Sequence, residues 1–161
     1  MSQSKMKGRF GHVALVAAIA LGATAMNSSA FAGECPADQK KADATKPVDL
    51  KPVGVTDTVI AMIDVEQEQG IADRTFRMRK LTIEPGGIVP WHSHGERPAI
   101  IYIVEGQIEE YASNCAVPLV HKAGDVVAET KGVSHWWKNT GGETVVLLSA
   151  DLLKDPNDKN M

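Results

Sequence analysis

From residue 59 onward the chain is patterned with a period of two, and that constrains it more than any other feature. Residues 59–65 (VIAMIDV), 75–83 (TFRMRKLTI), 88–94, 99–104, 107–112, 117–121, 125–129, 134–138 and 144–152 are short runs rich in Val, Ile, Thr and aromatic residues. Glycine- or proline-bearing segments separate them, and EPGG at residues 84–87 is predicted to be a turn that ends one strand before the next begins. No helical periodicity exceeds two turns, and no segment repeats. Short strands with such punctuation predict an all-β sandwich or barrel. Residues 33–54, rich in Lys, Asp and Pro, read as an extended lead-in, leaving 55–155 for the barrel.

Two of these strands are apolar on both faces. In AIIYIVEG, residues 99 and 101 share one parity with Ile103, whereas Ile100, Tyr102 and Val104 share the other. VVLLSADLL near the C-terminus has the same character. One face belongs to a barrel interior; the other needs a cover, because a large exposed apolar patch is unfavourable in a soluble monomer. Either the N-terminal strand of the same chain lies over it, or a second copy does, and a homodimer is the expectation.

The first thirty or so residues are not expected to be part of the fold. Lys5, Lys7 and Arg9 precede an apolar run, VALVAAIALGATA, and Ala30-Phe31-Ala32 follows. Basic start, short apolar stretch and small residues make residues 1–32 a signal peptide; the run is shorter than the roughly 20 residues of a membrane span. The expected destination is the periplasm or the exterior, and the mature chain is expected off the membrane. Three of the 17 basic residues and none of the 20 acidic ones precede residue 33, leaving 14 against 20 and a formal charge of −6. With no basic patch interleaved with aromatics, nucleic acid is excluded as an expected partner. Cys35 and Cys115 both fall in the exported part. An oxidising compartment favours a bond between them, with two unpaired thiols as the alternative.

His92 and His94, in PWHSHGE, stand at i and i+2, so on a strand they share a face. His135, in KGVSHWWKN, opens a later strand that a closed barrel can bring near them. Three neutral imidazoles hold a divalent transition metal such as Fe, Mn, Zn, Ni or Cu while leaving positions open. The spacing Gly86, His92-Ser93-His94 and Gly106 resembles the first conserved motif of the cupins. Gly124, Thr130, Gly132, His135 and Asn139 resemble the second, with Thr130 where that motif usually has proline. The interval between the motifs is similar to that of small bacterial cupins. The resemblance implies a conical jelly-roll barrel with one metal at its centre, His92, His94 and His135 as ligands, and a dimer. It leaves function open, since cupins include dioxygenases, isomerases, lyases and non-catalytic binding domains.

The resemblance also implies a glutamate ligand at position 99, where this chain has alanine. Glu96, two residues past His94, is the sequence-level substitute, with a solvated rim carboxylate as the alternative. Three neutral ligands on a dication leave a charge of +2 that favours an anionic or enolisable small molecule; loss of redox chemistry is the other consequence to weigh. By parity Ile101, Ile103 and Trp137 face the interior and line an apolar pocket, although Trp137 reads first as simple core filler. Arg97 lies close enough to meet a substrate carboxylate or else faces solvent. Arg77 and Arg79 share a strand face with Leu81 and Ile83, and form either an interior anion pocket or a solvated edge. His121 matches no ligand position. Two functions follow: a metal-dependent, dioxygenase-like enzyme, or a non-catalytic protein that binds a metal or small ligand.

Overall fold

A single long strand organises the molecule. The computed structural model describes residues 34–155 and Asp158; the expected signal peptide, residues 1–32, lies outside them. The elements are β1 (Val53–Asp64), α1 (Val65–Gln69), β2 (Thr75–Ser93), β3 (Ala99–Glu105), β4 (Gln107–Ala112), β5 (Leu119–Lys122), β6 (Val126–Glu129), β7 (Ser134–Lys138) and β8 (Val145–Leu153). The sheet order is β5-β4-β7-β2-β8-β3-β6, with β1 paired to β2. The chain is all-β and curls into the jelly-roll barrel that the two motifs imply.

The predicted turn at EPGG is not a turn. Residues 75–93 run as one strand of 19 residues. Its first half, Thr75–Ile83, pairs with β8, whereas Ile88–Ser93 pairs with β7. The glycines bend the strand between those two neighbours instead of reversing it. Gly86 has a φ of 78°, and a Cβ on Gly87 would lie 2.6 Å from Ile83 Cγ2, so the bend needs a residue without a side chain there. Asn139, fully buried, clamps the corner: its amide donates to the Ile83 carbonyl at 3.0 Å and the Glu143 carbonyl at 2.8 Å. Backbone bonds from Gly86 N to Asn139 O and from Asn139 N to Gly87 O complete the clamp.

The alternation places Leu81, Ile83, Val89, Ile101, Ile103, Ile108, Trp137, Val145 and Leu147 inside. Each such side chain contributes about 1.5–3 kcal/mol on burial. Short α1 joins β1 to β2. Asp64 caps it by accepting from Gln67 N at 3.0 Å, and Gly70 ends it in the left-handed region at φ 69°.

Of the two readings of the cysteines, the structure has the bond: Cys35 is joined to Cys115, 80 residues away. The lead-in is laced to the β4–β5 connection by Lys41 N to Asn114 O, Ala44 N to Ser113 O and Ala116 N to Gln39 O. Closing so long a loop contributes about 4 kcal/mol in the chain-entropy limit. β1 lies beside β2 and does not cover β3. Ile100, Tyr102 and Val104 therefore stay exposed, Ile100 by 57%.

Candidate metal centre

The bent strand β2 and the short strand β7 bring the three histidines together. His92 and His135 are direct partners in the β2–β7 ladder, and His94 lies just past the end of β2 on the same side. Their rings face one another, with centroids 4.5–5.1 Å apart. His92 Nε2 is 3.1 Å from both His94 Nε2 and His135 Nε2. Two bonds of about 2.1 Å to one ion span such a separation.

The outer nitrogen of each ring is fixed. His92 Nδ1 is 2.8 Å from the Pro90 carbonyl and His94 Nδ1 is 2.9 Å from the Arg97 carbonyl. A carbonyl only accepts, so both Nδ1 atoms carry the proton and both Nε2 lone pairs face inward. His135 Nδ1 lies 2.6 Å from Glu110 Oε1, which fixes the same tautomer. The Trp137 indole N–H also approaches Nδ1, at 3.2 Å. The shorter contact to a carboxylate decides where the proton sits.

Electrostatics follow from burial. Desolvation, then the neighbouring His135, lower His92 to about 2 and His94 to about 4, so both are neutral donors at ordinary pH. His135 is raised: burial opposes its charge, but the hydrogen bond to Glu110 and the charges of Glu129 and Glu110 outweigh it. Glu110 is lowered to about 2, because bonds from His121 and His135 overcome its own burial.

The cavity beside the rings measures about 30 Å³, enough for an ion and one or two water-sized molecules. Arg79, Leu81, Val89, Ile101, Glu129 and Trp137 are among the residues that line it with the histidines. His92, half-buried, also borders an outer recess of about 540 Å³ with Trp91, Ser93, Arg97 and Ser134. It stands between the ion position and the surface.

The other sequence-level candidates separate. Ile101 and Trp137 line the cavity, whereas Ile103 is buried in the core away from it. Arg97 is buried, donates to Asp151 Oδ2 at 3.2 Å and borders only the outer recesses. The Glu96 side chain is 76% exposed and 3.7 Å from Lys154 Nζ. It lies on the rim, apart from the three Nε2 atoms. Arg77 and Arg79 take the interior alternative. Both are buried, and their charge is largely met by Asp151, with Asp57 also 2.6 Å from Arg79.

Two buried carboxylates, Glu110 and Glu129, have no counterpart among the sequence expectations, and His121, which matches no ligand position, packs beside them. Glu110 is gripped by His135 and by His121, whose Nε2 is 2.8 Å from Oε2. His121 stacks on Trp137 at 4.8 Å. Glu129 is buried, 3.5 Å from His135 Nδ1 through Oε2, while Oε1 has no hydrogen-bond partner among the described residues. Burial, assisted by Glu110 and opposed by His135, pushes Glu129 up to about 7. A usable signal was present: Glu110 shares the parity of Ile108 and Ala112, and Glu129 that of Val127. A carboxylate on the apolar face of a strand needs a partner inside.

Residues 79–151 match the family model described as Cupin domain. Nectarin-1 of Nicotiana langsdorffii x Nicotiana sanderae is 28% identical over 96 residues, 58% of this chain and 42% of that protein. Germin-like protein subfamily 2 member 2 of Arabidopsis thaliana is 27% identical over 106 residues, 62% of this chain and 48% of that protein. The chain thus spans about half the length of the curated relatives it matches. Among solved structures, a predicted oxalate decarboxylase of Thermotoga maritima superposes with a TM-score of 0.47 at 23% identity, over 65% of this chain and 99% of that one. The family-model match covers residues 79–151, and the two curated relatives come from plants, not bacteria.

Proposed function

We propose, on the premise that residues 79–151 form a cupin domain, that this chain is an exported metalloprotein whose His92, His94 and His135 hold one divalent transition metal ion. One observation carries the reading: each Nδ1 is committed to an acceptor outside the cluster, so three Nε2 lone pairs converge on one point. Without an ion, three such nitrogens repel; with one, all are satisfied. Among Fe, Mn, Zn, Ni and Cu the imidazole donors suit several, and Zn or Fe binds such sets with positions left over.

The reaction we propose is dioxygenase-like, on a small anionic or enolisable molecule. The ion would supply Lewis acidity or redox chemistry at its open face. The residues do the rest. Leu81, Val89, Ile101 and Trp137 exclude water, and His92 marks the entry from the outer recess. Arg79 also lines the cavity, its charge met by Asp57 and Asp151 and its Nε without a hydrogen-bond partner among the described residues. The small cavity favours a second reading, a non-catalytic binder of a metal or small ligand; anything larger than two or three heavy atoms must extend into the recess.

We also propose that a second copy covers the outer face of β3, where Ile100 and Tyr102 are exposed. Ile100→Glu with Tyr102→Lys then converts a dimer into a monomer in light scattering, and a wild-type monomer rejects the idea.

The decisive test is metal content. The chain exported to a periplasm should hold near one equivalent of a transition metal by elemental mass spectrometry, and a His92→Ala/His135→Ala variant almost none. Equal, sub-stoichiometric metal in both, even after reconstitution, rejects the metal reading. Oxygen uptake with small enolisable acids then separates enzyme from binder.

A further inference from the structure

The strongest unexplained group in the barrel is Glu129. Its residue is 3% exposed and its Oε1 accepts nothing among the described residues. Leaving a buried carboxylate oxygen unpaired is unfavourable, which a residue with only a structural role has no reason to bear.

Its position is specific. Glu129 lines the same cavity as the three histidines. In the β3–β6 ladder it is the direct partner of Ala99, itself buried. Directly opposed residues of an antiparallel pair stand about 4.5–5.5 Å apart, within the reach of one glutamate side chain. Ala99 is the position where a carboxylate is missing, and the adjacent strand carries one towards the same space. Glu110, the other buried acid nearby, has both oxygens engaged by His121 and His135.

We propose that Glu129 is the carboxylate ligand of the site, supplied from β6 in place of β3. The inference rests on the three-histidine reading above. In the ion-free arrangement Oε2 rests 3.5 Å from His135 Nδ1. Glu129 here groups with Glu110 and His135, apart from His92 and His94, so ligation requires a side-chain rotation that brings the unpartnered Oε1 towards the Nε2 atoms. The ion–ligand set falls from a charge of +2 to +1, and two of the six positions of an octahedral ion stay open. A singly charged anion at one of them makes the centre neutral, which favours monoanions over dianions.

The test uses the full exported chain, Zn²⁺ as the affinity probe and Co²⁺ as the spectroscopic one. Glu129→Gln is expected to weaken Zn²⁺ binding at least tenfold in competition titrations and to alter the visible Co²⁺ bands. Its ion-free form should melt no lower than the wild type, an outcome that a structural role for Glu129 does not produce. The double variant Glu129→Ala/Ala99→Glu should bring Zn²⁺ affinity back to within about threefold, and it keeps the test open should Glu129→Gln fold poorly. Wild-type affinity and bands in Glu129→Gln, or a loss that Ala99→Glu fails to repair, overturn the inference while the three-histidine site stands. A wild type that binds neither ion overturns both.

Discussion

Two buried polar clusters sit inside this barrel, and they are built on opposite principles. Around Asp151, fully buried, Arg77 donates through Nε at 3.0 Å and Nη2 at 2.8 Å, Arg97 Nη1 lies at 3.2 Å, and Arg79 Nη2 at 3.2 Å. Its carboxylate is saturated. Around the histidines, three Nε2 lone pairs face one another and Glu129 Oε1 accepts nothing among the described residues. The first cluster is closed at its carboxylate, with Arg79 Nε alone unpartnered among the described atoms of the cluster, and it ties β2 to β8 and the segment after His94. The second is held from outside and left unfinished within. Satisfied burial marks structure, and unsatisfied burial marks a place kept for something else.

The contrast breaks most visibly by removing one acceptor. Asp151→Ala leaves the guanidinium groups of Arg77, Arg79 and Arg97 buried without their shared counter-charge. A loss of about 3–5 kcal/mol in urea denaturation is expected, enough to unfold part of the population. Removing a histidine should do the reverse. His92→Ala takes away a member of a mutually repelling set, so the ion-free protein should be within about 1 kcal/mol of the wild type. An Asp151→Ala variant as stable as His92→Ala removes the distinction between the clusters.

Next in size is the effect of the ion. A ligand that binds only the folded chain stabilises it by about 2.7 kcal/mol at a hundredfold excess over its dissociation constant. Thermal melts with and without Zn²⁺ should show a clear upward shift in the wild type and in Arg97→Lys. None should appear in His92→Ala or His135→Ala. A shift that survives in the histidine variants means the ion binds elsewhere.

How far these clusters could be read from the sequence depends on range. His92 and His94 were legible because their relation is local, two residues apart on one strand, and His135 because motif spacing tied it to them. The interior position of Arg77 and Arg79 was half legible: period two says which residues share a face, and only the β2–β8 pairing says which face is inside. EPGG carries every local sign of a turn, yet β7 and β8 pair with its two flanks and pull the chain through as one strand. Glu110 and Glu129 went unread because a carboxylate on a strand is ordinarily solvated. What buries them is the curl of the sheet, which brings β4, β6 and β7 around one ring. Glu96, near the histidine pair in sequence, takes the rim alternative, whereas Glu129 lines the cavity.

Acid sharpens the comparison with the smallest expected effect. Burial alone would raise Asp151, but the hydrogen bond from Arg77 and the charges of Arg79, Arg77 and Arg97 lower it below its ordinary value of 3.8. A carboxylate lowered on folding contributes stability that is fully present above its unfolded pKa and is lost as pH falls through the folded one. Wild type should therefore hold its urea midpoint down to about pH 5, as far as this group decides it, and begin to lose it below about pH 4. Asp151→Asn, weaker at neutral pH, has no carboxylate to protonate and should decline less steeply over the same window. The difference between the two slopes isolates the closed cluster, because the remaining carboxylates titrate in both proteins. Parallel slopes would mean that the arginines around Asp151 are held by their other partners, Asp57 and Asp158, and that the cluster is less closed than its distances imply.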